Sequence, residues 1–285
     1  MIKKNEKAHS VKALCDTCGV AQSSYFRWKQ NNGQTTRERE DEELSVAIVK
    51  SWEDSRQNYG SPRIEQDLRK KEIRTSRKRV GRLMKAAGIQ GRHNQRKKPL
   101  VTDSRHGHRI SKNKLKETPF PTGLRQVIVT DTTYVWTDQG WHYLATVMDL
   151  FSREIIGWAF SANNDRHLVC QALWNASSEL TGDEKIIHHS DRGSTYCSDK
   201  YRNLMESFFG SLKCECAILG KSMSPAKVKL ALFDYIEGFY NTHRIHTALK
   251  GESPREFARK ALAIAAGGLS TPPSPTSSNP ILDGA

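Results

Sequence analysis

Residues 126–160 read QVIVTDTTYVWTDQGWHYLATVMDLFSREIIGWAF, and this stretch decides the fold. Its β-branched and apolar residues fall into three runs, 126–135, 141–150 and 154–160, and such runs are typical of strands. The tetrapeptide Thr-Asp-Gln-Gly at 137–140 separates the first two runs as a hairpin turn. We therefore predict three strands in succession, of which the first two form an antiparallel hairpin.

A helix and a fourth strand follow these three. Apolar residues recur at helical spacing over 165–180, and residues 185–189, Lys-Ile-Ile-His-His, form a short strand. A strand that follows a crossover helix returns parallel to an earlier strand. The predicted fold class is therefore α/β, with a mixed sheet whose antiparallel strands come first, and with flanking helices.

The residues upstream of the sheet predict only helices. Residues 9–30 indicate two short helices around a turn at Gly19, and a third helix follows over 41–58. Ser61-Pro62 begins a further helix, and Thr75 or Ser76 caps another that ends at Gly88. We interpret these as helix-turn-helix units; an ordinary helical hairpin remains the alternative for residues 9–30.

The charge of the chain is concentrated at one end. The 285 residues contain 45 Lys plus Arg and 31 Asp plus Glu, which gives a net charge of +14. Residues 1–120 contain 29 basic and 14 acidic side chains, whereas residues 121–285 contain 16 and 17. This distribution predicts a nucleic-acid-binding module joined to a nearly neutral body, with a merely solvated basic surface as the alternative.

Several basic side chains are candidates for DNA contact. Four lie on the outer face of the helix before Gly88, three follow in a basic segment, and one lies near the C-terminus. They are Arg77, Lys78, Arg79, Arg82, Arg96, Lys97, Lys98 and Arg244. For Arg244 a role on the helix surface is an equal alternative.

Composition excludes some classes of protein. The mean hydropathy is -0.66, and no run of about 18 apolar residues could cross a membrane. No apolar segment of a secretory signal follows Met1, so we expect a cytoplasmic protein associated with the nucleoid. Six cysteines in such a compartment do not indicate a disulfide framework.

Two aspartates lie where the predicted sheet would place catalytic groups. Asp131 falls inside the first strand, where an ionised side chain needs a partner or a metal. Asp191 follows the fourth strand. Carboxylates on neighbouring strands can share Mg²⁺, and a pair of ions about 3.5–4 Å apart supports phosphodiester chemistry. Asp138 and Asp149 are interpreted as turn residues, and Trp136 and Trp141 as a cross-strand pair rather than a base-stacking platform.

Several motifs, in order, resemble one family. The motifs TDTTY at 130–134, HSDRGS at 189–194 and ESFFGSLK at 206–213 resemble the acidic motifs of bacterial insertion-sequence transposases with a retroviral-integrase-type core. YNTHRIH at 240–246, followed by Ser253-Pro254, is similar to the C-terminal signature of that family. Residues 59–89 resemble its helix-turn-helix region.

The resemblance implies a ribonuclease-H-like core and a DDE-type polynucleotidyl transferase that cleaves DNA and transfers strands. It also implies that Asp131, Asp191 and Glu206 are the catalytic and metal-binding residues, with Mg²⁺ or Mn²⁺ as the cofactor. The implied partners are the element ends and target DNA, further copies of this chain, and a polypeptide made from an upstream reading frame in similar elements.

One departure from the family pattern stands out. The family separates its second Asp and its Glu by about 35 residues, whereas 14 residues lie between Asp191 and Glu206 here. Two hypotheses follow: an active transposase, or a catalytically defective remnant that binds DNA ends.

The expected domains, in chain order, are an N-terminal helix-turn-helix-like segment, a basic helix-turn-helix domain, a basic linker, an integrase-type core and a disordered tail. Their expected bounds are 1–40, 41–98, 99–123, 124–262 and 263–285.

Overall fold

The computed structural model divides the chain into two compact units, residues 1–90 and 91–285. The described residues are 1–30, 34–92, 121–180, 186–190, 198–216, 218–219 and 221–267.

The first unit begins with three short helices: α1 (Ile2–Asn5), α2 (Val11–Cys18) and α3 (Gln22–Gln30). Gly19 ends α2 with a φ of 64°, the left-handed conformation for which glycine is suited and which the sequence predicted. Tyr25 packs with Cys15 in a small core. Its hydroxyl donates a 2.6 Å hydrogen bond to Glu6.

Three longer helices complete this unit: α4 (Thr36–Asp54), α5 (Ser61–Lys70) and α6 (Arg77–Ala86). α4 begins earlier than predicted, so the expected boundary at residue 40 falls inside a helix. The reason is a capping box, in which the Thr35 hydroxyl accepts from the Glu38 amide and the Glu38 carboxylate accepts from the Thr35 amide.

The ends of α6 follow the sequence prediction. The Ser76 hydroxyl accepts from the amide of Arg79, and Gly88 has a φ of 67° just beyond the helix. The buried side chains of α5 and α6 recur at helical spacing; they are Ile64, Leu68, Val80, Leu83 and Met84. These side chains form one apolar interior, which leaves the basic residues of α6 on the other face.

The second unit contains a four-stranded sheet. Its strands are β1 (Val127–Thr137), β2 (Gly140–Asp149), β3 (Ile155–Ser161) and β4 (Ile187–Ser190), in the order β3-β2-β1-β4. β1 and β2 pair antiparallel around the predicted turn, as do β2 and β3, whereas β4 pairs parallel with β1. The mixed sheet and its order of pairing confirm the predicted fold class.

Helix α7 (Arg166–Ala176) covers one face of the sheet. Its buried residues Ala172 and Ala176 approach β3 so closely that a Cβ on Gly157 would lie 2.4 Å from the carbonyl oxygen of Ala172. Only glycine fits there without displacing backbone atoms. Gly157 therefore fixes how closely the helix and sheet pack.

The remaining elements follow the sheet. They are α8 (Ser198–Glu215), α9 (Pro225–Tyr235), a π-helical turn (Ile236–Tyr240), a short 3₁₀ turn (Thr247–Leu249) and α10 (Pro254–Gly267). The tail was predicted to begin at residue 263, but α10 continues to Gly267, because 261–266 are strong helix formers such as Ala and Leu. Among the described residues, no helix is long and apolar enough to cross a membrane.

Candidate active site

Asp131 lies on β1, an inner strand of the sheet, between β2 and β4. The parallel register of β1 and β4 pairs Thr130 with Ser190, the residues that immediately precede Asp131 and Asp191 in the sequence. Asp191 itself lies outside the described residues. Asp131 is half-buried, and its Oδ1 accepts a 2.7 Å hydrogen bond from the Thr132 amide. Beside it, the Thr130 hydroxyl lies 2.8 Å from Nε2 of His188.

Glu206 lies on the single helix α8. Met205, Phe208 and Leu212 are buried, whereas Glu206 is exposed. The helix therefore turns its apolar side inward and presents Glu206 at its surface. Within the described part of the chain, which lacks Asp191, no group of three ligand side chains could hold a metal ion.

Arg244 corrects one prediction, because it is buried rather than available to DNA, with an exposure of 4%. Its Nε and Nη2 donate to the two carboxylate oxygens of Glu215, each at 2.8 Å, and Nη2 also donates to the Ser211 hydroxyl at 2.8 Å. The Tyr235 hydroxyl donates to the same carboxylate at 2.9 Å. Burial alone would lower the pKa of Arg244, but the Glu215 charge outweighs it and raises that pKa.

This buried cluster fixes the C-terminal end of the helix that carries Glu206, since Ser211 and Glu215 both belong to α8. Sequence reasoning missed the pairing because Glu215 precedes Arg244 by 29 residues. The one available signal was that a glutamate stands between two cysteines, at 214–216.

Asp149, at the end of β2, shapes a turn, as its sequence position predicted. Both its carboxylate oxygens are used: Oδ1 accepts from the Arg125 amide, and Oδ2 accepts from the Ser152 amide and hydroxyl. The side chain is fully buried, and this burial raises the pKa of Asp149. Its hydrogen bonds hold the connection between β2 and β3.

The basic face of α6 divides into two pairs. Arg77 and Lys78 are exposed, whereas Arg79 and Arg82 donate to opposite oxygens of Asp41 on α4, at 2.7 and 2.6 Å. The Arg82 and Arg79 guanidinium groups lower the pKa of Asp41. Two of the four predicted DNA-contacting side chains on α6 are thus partly neutralised within the unit. Arg96, Lys97 and Lys98 lie outside the described residues.

Comparison with known proteins identifies the family of this chain. Residues 38–98 match the HTH-like domain family, and residues 121–211 and 206–262 match two integrase core domain families. Transposase InsF for insertion sequence IS3A, from Escherichia coli (strain K12), is 33% identical to this chain over an alignment 284 residues long. The alignment covers 92% of this chain and 98% of that protein. The chain belongs to the IS3 family of insertion-sequence transposases.

A second relative extends this finding. The insertion element IS600 uncharacterized 31 kDa protein, from Shigella sonnei, is 32% identical over 274 residues, 89% of this chain and all of that protein. The predicted family, the integrase-type fold and the helix-turn-helix region of the transposase are therefore confirmed.

The length of the alignment has a further consequence. The aligned 92% of the 285 residues is about 262 residues, so about 22 of the 284 aligned positions have no residue in this chain. This number is close to the roughly 21 residues by which the interval from Asp191 to Glu206 falls short of the family pattern.

Proposed function

We propose that this transposase cleaves DNA at the ends of its element and transfers the 3′ ends to a target, using Asp131, Asp191 and Glu206. The observation that carries the proposal is the parallel pairing of Thr130 with Ser190. In a parallel pair, the residues that follow two paired positions are expected at the same level along the two chains. The Asp131 and Asp191 carboxylates are therefore expected to be neighbours.

The chemistry of these donors fits Mg²⁺ or Mn²⁺. All three side chains are carboxylates, the hard oxygen ligands that these cations bind. Asp131 is half-buried, which favours a bound cation over bulk water as its counter-charge. When bound, a pair of such ions activates the attacking oxygen and stabilises the leaving oxygen of a phosphodiester.

Other residues of the chain position the reaction. The buried contacts of α8 and the pair of Glu215 with Arg244 fix the helix on which Glu206 lies. Arg77 and Lys78 on α6, together with Arg96, Lys97 and Lys98 in the following segment, bind the phosphates of the terminal DNA. Two copies of the chain bring two ends together, and an upstream-frame polypeptide is a further partner.

A specific observation favours a second function. Only 14 residues lie between Asp191 and Glu206, about 21 fewer than in the family pattern. The alignment leaves a similar number of positions, about 22, without a residue in this chain. A misplacement of about 1 Å can reduce the rate of a reaction about a hundredfold. The second candidate is therefore a protein that binds element ends without cutting them.

A cleavage assay separates the two functions. The full chain is incubated in Mg²⁺ with labelled DNA that contains an element end, beside Asp131→Asn. As a matched control, Asp138→Asn removes an exposed carboxylate from the hairpin turn. The proposal predicts cleavage by the wild type and by Asp138→Asn only. DNA that is bound but never cleaved by the wild type supports the second function and contradicts the first.

A further inference from the structure

Three aromatic rings lie exposed on one face of the β1–β2 hairpin, close to its turn. Their exposed fractions are 58% for Tyr134, 43% for Trp136 and 53% for Trp141. Trp136 pairs directly with Trp141 across the strands, and Tyr134 lies two residues along β1, so the pleat directs all three to the same side. We call these three residues the aromatic patch.

The rings of the aromatic patch stand nearly perpendicular to one another. Trp141 lies 5.1 Å from Tyr134 at an interplanar angle of 87°, and 4.9 Å from Trp136 at 75°. Edge-to-face packing of this kind stabilises the hairpin. It also leaves the ring faces partly open to solvent, where flat ligands can stack on them.

A cation lies against the aromatic patch. The Lys213 ammonium is 4.4 Å from the centroid of the Tyr134 ring. A lysine beside exposed aromatic rings matches the two parts of a nucleotide, a negative phosphate and a planar base. An apolar protein partner would not require that charge, so the pairing favours nucleic acid.

Two residues of the aromatic patch, and the lysine beside it, lie on the same two elements as Asp131 and Glu206. Tyr134 follows Asp131 by three residues on β1, about 10 Å in a strand, and Lys213 follows Glu206 by seven residues on α8, about 10.5 Å in a helix. By the same alternation Asp131 points to the opposite face of β1, so the aromatic patch does not line the pocket of the carboxylates.

We propose that Tyr134, Trp136 and Trp141 bind unpaired bases of the DNA on which the chain acts, with Lys213 beside the backbone phosphate. The inference rests on the proposed function only in that the chain acts on DNA. Stacking requires bases that are not paired in a duplex, so the patch selects single-stranded or opened DNA. The hairpin would thereby give the chain a preference for unpaired DNA, which the carboxylates alone do not supply.

Binding measurements test this inference without requiring cleavage. The full chain is titrated with a short single strand of mixed sequence and with the corresponding blunt duplex, and indole fluorescence and affinity are recorded. Trp141→Ala is expected to weaken single-strand binding by about fivefold to a hundredfold, with a much smaller effect on the duplex. Trp141→Phe, which keeps an aromatic ring, should retain most of the affinity.

Trp174→Ala is the matched control, because Trp174 is 75% exposed on α7, away from the hairpin in sequence. It should leave single-strand affinity unchanged. If Trp141→Ala does not fold, the double variant Trp136→Phe/Trp141→Phe is measured in its place. The inference predicts that the single strand no longer quenches the indole fluorescence of this double variant but still quenches that of Trp174→Phe.

Equal single-strand affinity of folded Trp141→Ala and wild type would overturn the inference. So would a change in oligomeric state without a change in DNA affinity, because the aromatic patch would then be an interface between copies of the chain. A chain that binds unpaired DNA through the patch but does not cleave overturns the proposed function alone. If the chain cleaves DNA but Trp141→Ala leaves its affinity for the single strand unchanged, only this inference is overturned.

Discussion

Arg244 and Glu215 form a buried bidentate ion pair, with both nitrogen-to-oxygen distances at 2.8 Å. The pair joins the YNTHRIH motif at 240–246 to the end of the helix that carries Glu206. The C-terminal signature of the family thus has a structural role here: it holds the helix on which Glu206 lies.

Breaking this pair should destabilise the core. Arg244→Ala leaves the Glu215 carboxylate buried with no guanidinium, and such a change costs about 3–5 kcal/mol. Urea unfolding measures the loss. Arg259→Ala, which removes an exposed arginine of α10, should change the free energy of unfolding by less than about 0.5 kcal/mol. Equal stability of the two variants would refute the structural role of Arg244.

Gly157→Ala tests the close packing of α7 on β3. The added methyl would lie 2.4 Å from the Ala172 carbonyl oxygen and 2.6 Å from the Ala176 amide nitrogen, so backbone must move. We expect a loss of about 1–3 kcal/mol, measured by thermal or urea unfolding. Gly81→Ala is the control: its nearest neighbour is 3.8 Å away, and alanine should stabilise α6 by about 0.5–1 kcal/mol. A neutral Gly157→Ala would contradict the observed packing.

Asp41→Asn tests how α4 restrains the basic face of α6. The substitution removes the charge that Arg79 and Arg82 share, so both cations become more available to phosphate. We predict tighter DNA binding and a steeper dependence of affinity on salt, with a slope change of about one to two. Arg77→Ala should weaken DNA binding and make its dependence on salt less steep. Weaker binding by folded Asp41→Asn would show that the ion pairs orient the arginines instead.

The same pairs predict a pH dependence. Because Arg82 and Arg79 lower the pKa of Asp41 in the folded chain, its ionisation favours folding above the ordinary carboxyl pKa. That contribution is lost as the pH falls through the lowered pKa of the folded state. Unfolding measured between neutral pH and about pH 3 should show a smaller acid destabilisation of the first unit in Asp41→Asn. Identical pH profiles would contradict the assignment.

Local sequence signals predicted much of this fold. The hairpin and the caps at Ser76 and Gly88 depend on turn residues and periodicity within a few positions. The parallel return of β4 follows from the general rule for a strand that comes after a crossover helix. The start of α4 was missed because its signal, Thr35 with Glu38, precedes the apolar repeat.

The partners of the charged residues could not be predicted in the same way. Asp41 meets Arg79 over 38 residues, and Glu215 meets Arg244 over 29. No periodicity links such positions, and a basic side chain that binds phosphate looks the same in sequence as one that binds a carboxylate. Of the proposed metal-binding residues, Asp131 lies on β1, a strand that the sequence predicted, and Glu206 lies on the helix α8. Asp131, Asp191 and Glu206 remain predicted ligands.

Strand transfer tests the central claim most directly. The full chain is mixed with element-end DNA that already has a free 3′-hydroxyl and with supercoiled target plasmid, in Mg²⁺ or in chelator. We predict that the wild type joins the end to the plasmid in Mg²⁺ only, and that Asp131→Asn binds the end but joins none. End binding by the wild type without any joined product in Mg²⁺ or Mn²⁺ would contradict the account.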